Sequence, residues 1–342
     1  MKIDSTILRD FRNLGPNLRG LKTWDSGINL ILGRNGAGKT NLLEALSIIT
    51  GWGAFGKTSN VISWDKKGGR TYISSQFSGE ESFTVNAEIS SRISLRLNDK
   101  SVSFTDLRLY VPSIIFLTGN LNLIDGSPSS RRLFIDRLCA LFVPPFAKRL
   151  ADFKSILRVR SSLLRQGKSP SSTDIPYCKA GGWIMDIRRE VLSQLMRMMD
   201  TEKFTMKFVP DLSVSGEDYL RAMITENRAS EVYAQRPLFG PNYDELSIMI
   251  MGTGRPASES LSRGQKRRLI LYIILTSGRL IEERLKRKPV LLLDDLTAEL
   301  DAEGREWTYN QLKATGWQAF ITAPEKPFAT RRKFGGINLN VS

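Results

Sequence analysis

The sequence predicts an α/β fold in which an antiparallel β layer and an inserted helical domain are added to a sheet of buried strands. Three stretches carry that prediction. Ile28-Asn29-Leu30-Ile31-Leu32 is a short apolar run ending at Gly33, and Leu42, Leu43 and Leu46 recur at helical spacing beyond it. Pro289-Val290-Leu291-Leu292-Leu293 is a second apolar run, and it ends in two carboxylates, Asp294 and Asp295. Between residues 72 and 104 the period changes to two, with Phe83, Val85, Ala87 and Ile89 alternating with polar residues. Continuous apolar runs fit strands buried on both faces, as in parallel sheets, whereas strict alternation fits an antiparallel sheet with one buried face.

In chain order, residues 1 to 32 read as two strands, Ile3 to Leu8 and Gly27 to Leu32, with Asp10-Phe11-Arg12-Asn13 as a turn after the first. The spacing Gly33-x4-Gly38-Lys39-Thr40 that follows is a P-loop. Backbone N–H groups of Gly33, Arg34, Asn35, Gly36, Ala37 and Gly38 would converge on an anion at a helix N-terminus, Lys39 would reach the β/γ-phosphates, and the Thr40 hydroxyl would ligate a metal. ATP and Mg²⁺ are the expected cofactors. The helix from 38 to 49 stops before Gly51-Trp52-Gly53, and a meander then runs from Tyr72 through Ile93, Leu95 and Leu97 to Val102 and Phe104. Ser113-Ile114-Ile115-Phe116-Leu117 is a further strand.

Ser127 is a fair N-cap for a helix starting at Pro128. Between residues 131 and 168, ten Lys and Arg stand against two Asp, a local net of +8, on two helices separated by Pro144-Pro145. Such a basic face suits a phosphate backbone. Gly167 to Pro176 reads as a loop, and a helix from about 181 to 200 follows, with Trp183, Ile187, Val191, Leu195 and Met198 as a core stripe. Residues 128–230 are thus expected to be a helical insert between two parts of a nucleotide-binding head, 1–127 and 231–342.

The second part supplies the rest of the site. An acidic residue ending a buried strand beside a P-loop is placed to hold Mg²⁺, directly or through water, and Asp294 takes that role. Asp295, one residue on, is placed to orient the attacking water, so Asp295 and Lys39 are the candidate catalytic residues. Ser262 reads as the N-cap of a Leu- and Ile-rich helix, and Ser262, Gly264 and Gln265 form a second anion site there. Because the P-loop already provides a phosphate site, this one suits the nucleotide of a second subunit.

Composition narrows the chemistry. The chain has 342 residues, enough for about two domains, and no histidine, which excludes a Ser-His-Asp triad and histidine-ligated zinc. Cys139 and Cys178 are the two cysteines and read as free thiols. Fifty Lys and Arg against 35 Asp and Glu give a net charge of +15, which favours polyanions. No apolar run approaches the ~18 residues of a membrane span and the N-terminus lacks a signal peptide's apolar core, so a cytoplasmic location is expected.

The order of P-loop, Ser-x-Gly-Gln helix, acidic strand and Leu296-Thr297-Ala298-Glu299-Leu300-Asp301 resembles the ABC-type ATPase heads of the SMC-like chromosome-maintenance and DNA-repair family. More narrowly it resembles the RecF-type family of bacterial DNA replication and repair proteins. The narrower match is carried by Arg9-Asp10-Phe11-Arg12-Asn13, Gly53-Ala54-Phe55, Gly126-Ser127-Pro128-Ser129-Ser130-Arg131-Arg132, Gly240-Pro241, Leu261-Ser262-Arg263-Gly264-Gln265 and Leu293-Asp294-Asp295. The resemblance implies an ATP-driven homodimer that grips single- and double-stranded DNA at gaps, weak ATP hydrolysis as the release step, and assistance to RecA loading with RecR and RecO. It also implies that Ser262, Gly264 and Gln265 act in trans and that Arg12 supports the phosphates in cis.

The chain departs from the family pattern at Asn242-Tyr243 after Gly240-Pro241, at Thr118-Gly119-Asn120, and at Thr322, where many ABC ATPases place a histidine. Asp295 is also shorter than the Glu more often found at its position, so slow turnover is expected. The alternatives are a divergent ATPase that switches a protein partner with little DNA role, and a transporter-type subunit, which the basic insert does not suit.

Overall fold

The computed structural model describes residues 1–14, 21–62, 69–117, 122–199, 202–297, 300–325, 327 and 334–339. Thr118, Gly119 and Asn120, and Ala298 and Glu299 of the acidic motif, lie outside the described residues. The chain divides into two units, residues 1–121 with 262–342 and residues 122–261.

In the first unit five strands form an all-parallel sheet in the order Gly335–Asn338, Ile28–Leu32, Ala319–Ala323, Val290–Leu293, Ser113–Phe116. The last three are buried at every residue, as parallel strands covered on both faces must be. Strand Ala319–Ala323 separates the P-loop strand from the acidic strand, with Ile321 opposite both Leu30 and Leu293. All five strands run the same way, so the P-loop, Asp294 and Thr322 come together at one edge, where α/β sheets hold their ligands.

The second sheet is antiparallel, in the order Lys22–Thr23, Lys2–Arg9, Thr71–Ser78, Phe83–Ile89, Ile93–Leu97, Lys100–Ser101. Burial alternates along it, with Phe83, Val85, Ala87 and Ile89 inside. Helix Lys39–Ile49 contacts strands of both sheets, and for that reason every residue from Leu42 to Ile49 is buried, the polar Glu44 and Ser47 included. Gln318 fastens the layers: its Nε2 donates to Ile3 O (2.7 Å) and Asp25 O (2.9 Å), and its Oε1 accepts the Ile3 N–H (2.7 Å). Phe104 does not continue the meander. Ser103 Oγ accepts the Asp106 N–H at 3.0 Å and starts helix Phe104–Tyr110 instead.

The second unit has its helices Pro128–Phe142 and Phe146–Arg165 on either side of Pro144-Pro145, the former capped by Ser127. Helix Asp174–Arg197 begins well before residue 181, taking in Pro176 in its first turn, where a missing N–H is harmless. It also runs through Gly182, where a Cβ would lie 2.2 Å from Glu217 N, so that helix Gly216–Glu226 can pack against it. The middle of the chain is not wholly helical. Strand Phe204–Val209 pairs antiparallel with Glu245–Ile250, and this pairing draws residues 231–261 into the second unit. The boundaries expected at 127/128 and 230/231 therefore stand at 121/122 and 261/262.

Two ion networks lie inside this unit. Arg188 pairs with both oxygens of Asp136 (2.8 and 3.0 Å) and with Asp244 (3.1 Å). Arg160, fully buried, pairs with Asp174 (2.6 Å) and Glu231 (2.5 Å). The expected basic face is correspondingly smaller than the charge count suggests. Arg160 points inward, Arg131 pairs with Glu245, and burial holds the Arg137 guanidinium down at about 10. Exposed positive charge remains on helix Phe146–Arg165 at Lys148, Arg149, Lys154, Arg158 and Arg165. Cys139 and Cys178 are buried free thiols, pushed up by that burial. Among the described residues no helix is long and apolar enough to cross a membrane.

Candidate nucleotide site

A cleft of about 580 Å³ lies at the carboxyl edge of the parallel sheet, lined by the P-loop residues Asn35, Gly36, Gly38, Lys39 and Thr40 together with Arg12, Asn13, Asn41, Asp294, Asp295 and Thr322. The loop needs its glycines. Gly36 and Gly38 have φ of 84° and 98°, and a Cβ on Gly38 would lie 2.5 Å from Leu14 Cδ2 and 2.8 Å from Asn13 Oδ1. Asn13 braces the loop by donating from Nδ2 to Gly36 O (3.0 Å) and accepting from Asn41 Nδ2 (2.7 Å). Lys39 curls over the loop, its Nζ donating to Gly33 O (2.6 Å) and Arg34 O (3.1 Å).

Asp294 ends the acidic strand and is 7% exposed. Thr40 Oγ1 lies 3.1 and 3.2 Å from its two carboxylate oxygens, and Thr322 Oγ1 donates to its Oδ1 at 2.7 Å. The Thr322 hydroxyl also accepts the Asp295 N–H (2.9 Å). Hydroxyl partners of this kind allow a carboxylate to be buried at all. Asp295 itself has φ 52°, left-handed for a residue with a Cβ.

Arg12 reaches the cleft through a turn of positive φ (44°) and is held by Glu44 of the P-loop helix, with Nε 2.6 Å from Oε2 and Nη2 3.0 Å from Oε1. Glu44 is 1% exposed and also accepts the Phe55 N–H at 2.8 Å.

Ser262 caps helix Arg263–Leu285 in a full capping box, its Oγ accepting the Gln265 N–H (3.3 Å) while Gln265 Oε1 accepts the Ser262 N–H (2.8 Å). Ser262 and Gln265 are exposed, and neither they nor Gly264 line the cleft. The structure thus brings Arg12, the P-loop, Asp294 and Asp295 together and leaves the Ser-x-Gly-Gln segment outside. Sequence reading missed Asn13, Asn41 and Glu44, and saw Thr322 only as a lost histidine. Asn13 stands inside the stretch Arg9-Asp10-Phe11-Arg12-Asn13, so its type and position were available signals. The Glu44 pairing with Arg12, 32 residues away, had none.

A family model described as the RecF/RecN/SMC N-terminal domain matches residues 2–335. The chain belongs to the RecF/RecN/SMC N-terminal domain family. Proteins named DNA replication and repair protein RecF match it end to end. The one from Heliobacterium modesticaldum is 27% identical over 94% of this chain and 92% of its own length, and the one from Shewanella pealeana is 28% identical over 95% and 92%. A solved structure of the recombination mediator protein RecF-ATPrS in the RecFOR pathway superposes with TM-score 0.83 at 24% identity, covering 96% of this chain and 94% of that one. An Smc head domain from Pyrococcus furiosus bound to the C-terminal domain of ScpA gives 0.54 at 16% identity, over 95% and 90%. The ABC-type head fold expected from the motifs is thereby met, and so is the RecF likeness.

Replacing Glu44 with Ala leaves a guanidinium and the Phe55 N–H without their shared acceptor. Urea unfolding of Glu44→Ala should show a stability loss of about 3 kcal/mol; a loss below about 1 kcal/mol would mean that the Arg12 clamp is incidental.

Proposed function

We propose that the protein is an ATP-dependent DNA-binding protein of recombinational gap repair and replication, in which ATP and Mg²⁺ close a homodimer on DNA and slow hydrolysis releases it. The observation carrying this reading is the contact of Thr40 with Asp294, which sets a hydroxyl and a carboxylate side by side next to the P-loop. Hard oxygen donors of this kind, too few to enclose a cation alone, fit Mg²⁺, which takes its remaining ligands from phosphate and water. Bound there, Mg²⁺ would neutralise charge on the β- and γ-phosphates.

The chain's own groups supply the rest. The backbone of Gly33 to Gly38 binds phosphate oxygens, and Lys39 exchanges its two loop carbonyls for the β/γ-phosphates. Arg12, already oriented by Glu44, adds positive charge in cis. Asp295 orients the attacking water, and its short side chain, with Thr322 in place of a histidine, supports weak turnover. Ser262, Gly264 and Gln265, at a capped helix N-terminus where Ser262 and Gln265 are exposed, complete the site of a second copy. The names of the RecF relatives support a role in replication and repair, and the resemblance supplies RecR, RecO and RecA as partners. The exposed basic side chains of helix Phe146–Arg165 support that unit as a DNA-contacting surface.

Fluorescence anisotropy with gapped duplex DNA should show affinity rising at least tenfold when ATP and Mg²⁺ are added, and Lys39→Met should abolish the gain. No gain in the wild-type protein would favour the partner-switch alternative. Changing Lys154, Arg158 and Arg165 together to Ala should weaken DNA binding and flatten the log K versus log[salt] slope by about 3, since each lost phosphate contact removes about 0.9. An unchanged slope would place the DNA elsewhere.

A further inference from the structure

Arg267 stands on helix Arg263–Leu285, five residues after Ser262, and is 6% exposed. Its Nη1 donates to the carbonyl oxygens of both Asp295 and Leu296, each at 3.2 Å. The other side of the Asp295 peptide unit is also held, because its N–H donates to Thr322 Oγ1 at 2.9 Å. Between these two restraints Asp295 keeps a φ of 52°, a conformation that residues with a Cβ rarely adopt and that persists only where surrounding contacts enforce it. The direction of the Asp295 side chain is set by that backbone conformation.

The geometry points to Arg267 as a positioning residue that holds the Asp295 backbone in its left-handed state, and so couples the Ser262-x-Gly264-Gln265 segment to the acidic strand of the same copy. The coupling is mechanical and short. Ser262 and Gln265 are locked to each other by the capping box, and Arg267 lies on the next turn of the same rigid helix, about 7.5 Å along its axis from Ser262. Both bonds leave one guanidinium nitrogen, whose two N–H directions are fixed by the rigid planar group, whereas an ammonium on a flexible stem rotates freely. Contact of Ser262 and Gln265 with a nucleotide held by a second copy would therefore press, through Arg267, on the carboxylate that orients water over the first copy's own nucleotide. In a dimer with two such sites, each site would sense whether the other is filled. This coupling rests on the proposed trans role of the Ser-x-Gly-Gln segment; the restraint on Asp295 does not.

The test compares wild-type protein with Arg267→Met and Arg267→Lys, by hydrogen exchange of the nucleotide-free chain and by steady-state hydrolysis. In Arg267→Met, exchange across residues 294–297 should accelerate at least tenfold while the P-loop helix exchanges as before. Nucleotide affinity should stay within twofold of wild type and kcat should fall at least tenfold, and Arg267→Lys should recover part of both losses. Unchanged exchange at 294–297, or acceleration spread evenly through residues 262–325, would overturn the inference, the second outcome marking a merely structural arginine. If the wild-type chain neither dimerises nor hydrolyses ATP, the functional reading fails while the exchange comparison still decides whether Arg267 holds Asp295. If wild type does both and exchange does not change, the inference about Arg267 fails alone.

Discussion

The burial of the Asp294 carboxylate constrains the rest of the head. A carboxylate removed from water is tolerated only when its oxygens are hydrogen-bonded, and here two hydroxyls, Thr40 and Thr322, do that work. Thr40 is 254 residues away in sequence and opens the P-loop helix, whereas Thr322 lies on the strand between the P-loop strand and the acidic strand. A parallel sheet brings the three to one edge, and the observed order sets Thr322 between the P-loop strand and the acidic strand. The strand order, the sandwiched P-loop helix and the fully apolar run Val290–Leu293 are all conditions for this one contact.

On the proposed reading, the same edge is a nucleotide site held in place before a nucleotide arrives. Gly38 is fitted against Asn13 and Leu14 without room for a side chain, Asn13 is tied to both the loop and Asn41, and Arg12 is aimed by a buried carboxylate. Groups held by their own partners need little reorganisation on binding, which is where much of the cost of recognition otherwise lies. Lys39 is the exception, since its ammonium sits on loop carbonyls and would have to leave them to meet a phosphate.

How much of this was legible in the sequence depended on range. The P-loop, the apolar strand ending at Asp294, the Ser262 cap and the alternating layer are local patterns, in which neighbouring residues specify their own conformation. Helix boundaries were legible where Pro128 or Pro144-Pro145 marked them. The start of helix Asp174–Arg197 was missed because Pro176 sits within its first turn. Strand Phe204–Val209 was overlooked because its partner lies some 40 residues on, and that oversight displaced the domain boundary. Gln318 to Ile3, Arg12 to Glu44 and Arg267 to Asp295 join distant segments through ordinary polar residues, and a single sequence holds no mark of such pairings.

The central claim is that this head carries one half of a site that a second copy completes. Its most direct test is molecular mass by light scattering without nucleotide, with ADP, and with a non-hydrolysable ATP analogue, each at saturating concentration with Mg²⁺. The account predicts a monomer in the first two conditions and a dimer only with the ATP analogue. A monomer in all three, with nucleotide binding verified, would contradict it.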